Sequence, residues 1–203
     1  MKRQKILIIG CRKGGTSLLC SLLGGHSKIN MGSEIYVKEA LKLYGKPYVG
    51  IKYTYPHIKY DKRYGRLHTL LYFKTNKIFN IIAKLTGVYL EMPIGSSYSI
   101  KDFEDMDAKI IEIRRSQEGV VSSMMRGSPH MTRKQALNCY HRSCDEMMKI
   151  KDKHMVSMSF LTEHPKEALE AICNYIGIFF EPCMLDGAGY NDNYKIDEII
   201  PKQ

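Results

Sequence analysis

Residues 5–25 restrict the fold more than any other stretch of this sequence. Lys5-Ile-Leu-Ile-Ile-Gly10 is a short apolar run ended by glycine, the pattern of a buried strand. Cys11-Arg-Lys-Gly-Gly-Thr16 follows as a glycine-rich basic loop. Leu18, Leu19, Leu22 and Leu23 then recur at helical spacing, until Gly24-Gly25 stops the helix. A strand, a tight loop and a helix in so short a span open a βαβ unit, which excludes all-β and bundle folds. The alternation returns downstream. Lys109-Ile-Ile-Glu-Ile113 reads as a strand, followed by a polar turn and a helix through Val120, Val121 and Met124. Met155-Val-Ser-Met-Ser-Phe160 suits another strand, and residues 133–151 read as helix. Pro165 and Gly177 bound a last helix in which Ala168, Leu169, Ile172, Cys173 and Ile176 share one face. The expected fold is α/β, a three-layer parallel sheet flanked by helices. The stretch 53–101, rich in Tyr and Lys, is expected to form short helices and loops.

With 203 residues, 44% hydrophobic and 26% charged, the chain fits one globular domain over 1–203. The six cysteines contain no C-x-x-C pair and no zinc-ligand spacing, so a reduced, cytoplasmic setting is expected. The first apolar run is too short for a signal sequence or a membrane span. A formal net charge of +10 favours anionic partners. The basic residues are dispersed, no Lys/Arg run reaches five, and Trp is absent, so a nucleic-acid partner is not expected.

The glycine loop carries the chemistry. A glycine-rich turn between a strand and a helix N-terminus points several backbone N–H groups at one spot, where the helix dipole adds about half a positive charge. Set against G-x-x-x-x-G-K-[ST], Gly10 and Gly15 match, but Thr16 fills the lysine slot. The nearest lysine, Lys13, lies three places earlier, inside the loop. This arrangement suits a phosphate ester or anhydride with one cation at its bridging oxygen, and it departs from the layout that grips a metal-chelated triphosphate.

Ile8-Ile-Gly-Cys-Arg-Lys-Gly-Gly-Thr-Ser-Leu-Leu19, followed by His26-Ser27, resembles the 5′-phosphosulfate loop of sulfotransferases that use 3′-phosphoadenosine 5′-phosphosulfate (PAPS). Its Arg-Lys-Gly-Gly-Thr form is most similar to the glycosaminoglycan branch. Lys109-Ile-Ile-Glu-Ile-Arg-Arg-Ser-Gln-Glu-Gly-Val-Val-Ser-Ser123 resembles the family's 3′-phosphate segment, and residues 159–177 resemble its late strand and helix. The resemblance implies a P-loop NTPase-like sulfotransferase fold and metal-independent transfer of a sulfuryl group to a hydroxyl or amine. The donor would be PAPS and the product adenosine 3′,5′-bisphosphate (PAP). It implies that Lys13 stabilises the leaving phosphate, and that Arg12, Gly14, Gly15, Thr16 and Ser17 bind the 5′-phosphate. Arg115 and Ser123 hold the 3′-phosphate, with Arg114 and Ser122 as the other register. Glu34 is the implied general base, with Glu39 as a less favoured option, and Lys52 sits near the sulfuryl group. The polar, aromatic segment 189–195 is either a loop over the nucleotide or a plain tail. The acceptor stays open among small molecules, glycans and lipids. Competing readings are a P-loop kinase or NTPase, a nucleotide-binding module without chemistry, and a basic nucleic-acid binder.

Overall fold

The first apolar run forms β1 (Gln4–Cys11), which lies at the centre of the sheet. The computed structural model describes residues 3–32, 46–63, 98–128 and 130–190. On one side β1 pairs in parallel with β3 (Tyr48–Tyr55), with Ile8 opposite Lys52, and β3 pairs in parallel with β2 (Ile29–Gly32). On the other side β1 pairs with β4 (Lys109–Arg114), with Gly10 opposite Ile113, and β4 with β5 (His154–Ser157). The order β2-β3-β1-β4-β5 means that the chain goes from β1 to the edge strand β2, returns inward to β3 beside β1, and then crosses to the other side. In parallel sheets a reversal of this kind opens a crevice at the carboxyl ends of the strands, where ligands bind.

Helices cover both faces. Ile6, Ile8, Ile111 and Ile113 pack with Leu18, Leu19, Leu22 and Leu23 of α1 (Thr16–Gly24) and with Leu169, Ile172 and Ile176 of the late helix. The alternate residues Leu7, Ile9, Ile51, Tyr53 and Ile110 meet Ile100 and Phe103 of α2 (Ile100–Asp105) on the opposite face. Each such side chain contributes roughly 1.5–3 kcal/mol when fully buried. A third cluster joins Cys11 and Tyr55 to Val120, Val121 and Met124 of α3 (Gln117–Gly127) and to Ala136 and Cys139 of α4 (Arg133–Met148). That cluster fixes α3 beside the ends of β1 and β3. α5 (Met158–Glu163) and α6 (Pro165–Ile176) complete the helices, followed by a 3-10 segment at Pro182–Tyr190. As its glycine stop predicts, α6 ends on Gly177 in the left-handed region, φ 88°.

Three sequence expectations are corrected. The strand expected to run to Phe160 ends at Ser157, because the Ser157 hydroxyl accepts from the Phe160 N–H at 3.1 Å and starts α5. The helix expected over 133–151 ends at Met148. Residues 53–55, expected to begin a loop region, are the last three of β3, buried on both faces of the sheet. At the other end of that region, Ser99 and Asp102 form a reciprocal capping box that starts α2. Residues 64–97 lie outside the described ones.

Candidate functional site

β1 and α1 meet in a turn closed by a hydrogen bond from the Gly14 N–H to the Cys11 carbonyl, 2.9 Å. Two residues of this turn have left-handed backbone: Lys13 at φ 64° and Gly15 at φ 103°. A lysine in that region costs roughly 1–2 kcal/mol, so the surrounding structure must impose it. Gly15 is required twice over, since its φ disfavours any side chain and the Met158 sulfur occupies the space a Cβ would need. The turn leaves α1 without a side-chain cap and without an acidic residue in its first turn. Its leading N–H groups, with those of the loop, therefore form a concavity suited to an anion.

Cations approach this concavity from two strands. Lys52 is almost fully buried on β3, on the α1 side of the sheet, and its ammonium donates to the Ser17 hydroxyl at 2.7 Å. On the other side, the Arg115 guanidinium donates to the Lys13 carbonyl at 3.4 Å. The second cationic segment is thus adjacent to the glycine loop. Arg12 donates to the Ser128 hydroxyl at 3.5 Å, tying the loop to the end of α3. Thr16 is buried, and Lys13 and Ser17 are exposed.

Arg114, the last residue of β4, and Arg115, just after it, differ in employment. Arg114 faces away from α1, and its Nε donates to the buried Glu112 carboxylate, which keeps its guanidinium firmly protonated. Lys153 lies 2.7 Å from the other Glu112 oxygen, an ion contact without hydrogen-bond alignment. Strand alternation then turns Arg115 toward the glycine loop. The serines divide in the same way. Ser122 donates to Glu118 at 3.0 Å, and Glu118 is held at 3.1 and 2.6 Å by Arg133, which pulls its carboxyl below the usual range. The half-buried Ser123 hydroxyl has no hydrogen-bond partner among the described residues. Glu34 and Glu39 lie outside the described residues, as does the chain beyond Tyr190.

Several contributors escape a reading of motifs. Met158 floors Gly15, Ser116 caps α3 by accepting from the Gly119 N–H at 3.3 Å, and Glu112 occupies Arg114. A glutamate inside an otherwise apolar strand was the one available signal for the last. Gly119 has a local reason, since a Cβ there would stand 2.9 Å from Arg115 Nε. His26 is a buried brace: its Nδ1 accepts from the Lys28 N–H and its Nε2 donates to the Phe179 carbonyl, both at 2.9 Å. Among the described residues, no group of three or more His, Cys, Asp or Glu is placed to hold a metal. Among them, too, no helix is long and apolar enough to cross a membrane.

No protein-family model and no curated protein matches this sequence. Solved structures do. The chain is similar to the sulfotransferase domain from the curacin biosynthetic pathway, at 14% identity and a TM-score of 0.52, covering 94% of this chain and 79% of that one. It is also similar to a mouse sulfotransferase complexed with PAP, at 17% identity and a TM-score of 0.54, covering 93% of this chain. It spans only 64% of that mouse protein. At such identities the likeness shows the fold: a P-loop-like sulfotransferase fold built on a five-stranded parallel sheet.

Proposed function

We propose that this protein is a sulfotransferase, moving a sulfuryl group from 3′-phosphoadenosine 5′-phosphosulfate to a hydroxyl or amine acceptor. The observation that carries the reading is the contact between Arg115 and the Lys13 carbonyl. It brings the glycine loop and the cationic Arg115 together on a sulfotransferase fold, which supports a single nucleotide bearing phosphates at both its 5′ and 3′ positions. The residues present fit such a group. The uncapped α1 N-terminus and the left-handed turn suit an inner phosphoryl, and Arg115 with the unengaged Ser123 hydroxyl suits a ribose phosphate.

The bound donor supplies an activated sulfuryl group on a phosphate leaving group. The chain's own residues do the rest. Backbone N–H groups of Gly14, Gly15, Thr16 and Ser17 orient the 5′-phosphate, with Arg12 adding charge. Lys13 neutralises the charge that develops on the bridging oxygen, a stabilisation felt most in the transition state. Lys52, held at the mouth of α1 by Ser17, adds a second positive charge from the opposite strand. Glu34 accepts the proton of the attacking hydroxyl or amine. The acceptor class is open among small molecules, glycans and lipids, since the likeness of the Arg-Lys-Gly-Gly-Thr loop to the glycosaminoglycan branch sets no substrate. The whole chain acts as one domain in a cytoplasmic setting, and the acceptor-side role falls to the part of 53–101 that follows β3.

Thermal shift of the purified chain tests the reading, because a ligand that binds only the folded state raises its melting temperature. Adenosine 3′,5′-bisphosphate without metal is expected to stabilise it more than ATP with Mg²⁺. An equal or larger response to Mg-ATP would favour a P-loop kinase or NTPase instead.

A further inference from the structure

The Lys13 side chain leaves the glycine loop and lies along the last turn of α3. A Cβ added at Gly127 would stand 3.2 Å from Lys13 Cε and 3.4 Å from Nζ. Both distances are at or below ordinary contact, so an alanine at 127 needs the lysine tip to give by a few tenths of an ångström, and a larger side chain needs more. The neighbouring Arg12–Ser128 bond leans on the same end of α3. Gly127 has ordinary helical backbone, and φ therefore does not demand glycine there. A glycine in a helix is otherwise a small loss of stability. Its bare face against Lys13 is the feature that accounts for it.

We infer that Gly127 is a positioning residue: its missing side chain leaves the seat in which the Lys13 side chain can lie between α3 and the glycine loop. The inference rests on the functional reading above and deepens it. Without the seat, a four-carbon stem on an exposed loop residue samples many rotamers, and ordering it on binding costs affinity. With the seat open, the conformation that lies beside α3 is available to the lysine at no steric cost.

The test is a double-mutant cycle read by calorimetry with adenosine 3′,5′-bisphosphate and no added metal. Gly127→Ala is expected to melt at or above the wild-type temperature, because alanine is the better helix former. It should nevertheless bind the nucleotide about threefold more weakly, and Gly127→Val about tenfold. Lys13→Ala should lose about tenfold or more, the scale of a hydrogen bond to a charged group. The double variant Lys13→Ala/Gly127→Val should bind within about twofold of Lys13→Ala alone, since the seat has no purpose without its lysine. Wild-type affinity in Gly127→Val, or losses that multiply in the double variant, would overturn the inference while leaving the functional reading intact. A wild-type chain that does not bind the bisphosphate would overturn both.

Discussion

Two strand-to-helix junctions stand side by side at the carboxyl edge of the sheet, and they are built in opposite ways. Between β1 and α1 the turn is glycine and left-handed backbone, with no side-chain cap and no acid in the first helical turn. Between β4 and α3 the Ser116 hydroxyl caps the helix, and Glu118 stands in its first turn. The first junction leaves its N–H groups to a ligand. The second spends them internally and carries its own anion, so any anion affinity there must come from a side chain, and Arg115 is the one turned toward the loop. On the proposed reading, one anion would be met by backbone dipoles and the other by a guanidinium. Backbone recognition depends on conformation, whereas side-chain recognition depends on which residue faces inward. Mutations should sort accordingly.

The largest effect is expected at the first junction. Lys13→Ala should lower sulfuryl transfer by about 10²–10³-fold, the scale of losing one transition-state contact. Turnover of PAPS checks this, and a loss below tenfold would move the charge-stabilising role elsewhere. Next come the paired arginines. Arg115→Ala should weaken bisphosphate binding by about 10–100-fold at unchanged stability. Arg114→Ala should leave binding within about twofold and destabilise the fold by about 1–3 kcal/mol, because Glu112 loses a partner in the interior. Denaturant titration beside calorimetry separates the two, and the reverse pattern would exchange their roles.

At the capped junction, Ser116→Ala should cost about 1 kcal/mol of stability. Nucleotide affinity should stay as it is, and a loss of binding would make that helix end part of the anion site after all. The smallest effect concerns a helix far from either junction. Burial pushes the Asp102 carboxyl up, but the Ser99 N–H at 2.6 Å, the Ser99 hydroxyl at 2.9 Å and Arg63 outweigh it and leave it below the usual range. Asp102 in the unfolded chain binds a proton more readily than in the folded one. Its contribution is therefore complete above the ordinary carboxylate range and fades as pH falls through the lowered folded value. Asp102→Asn should lower the melting temperature at pH 7 by about 1–2 °C, and the deficit should shrink in acid.

The sequence made the first junction legible because local rules govern it. Apolar runs set β1 and α1, and Gly14-Gly15 announced a turn with unusual backbone. The close of α6 was legible in the same way from Pro165 and Gly177. Strand endings were harder, as Ser157 shows: Met158 and Phe160 continue an alternating pattern, yet a serine cap turns them into helix. The choice between Arg114 and Arg115 was only half legible, because it depends on Glu112, two residues before Arg114 on the same strand, and on Lys153 about forty residues away. The seat for Lys13 joins residues 13 and 127, a contact that only the packed sheet creates.

The central claim is that residues 10–17 and Arg115 grip the two ends of one nucleotide, and a calorimetric comparison addresses it directly. Adenosine 3′,5′-bisphosphate and adenosine 5′-monophosphate would be titrated into the wild-type chain and into Arg115→Ala. Arg115→Ala should weaken the bisphosphate to the level of the monophosphate and leave the monophosphate nearly unaffected. Equal losses for both nucleotides, or a wild-type chain indifferent to the 3′-phosphate, would contradict the account.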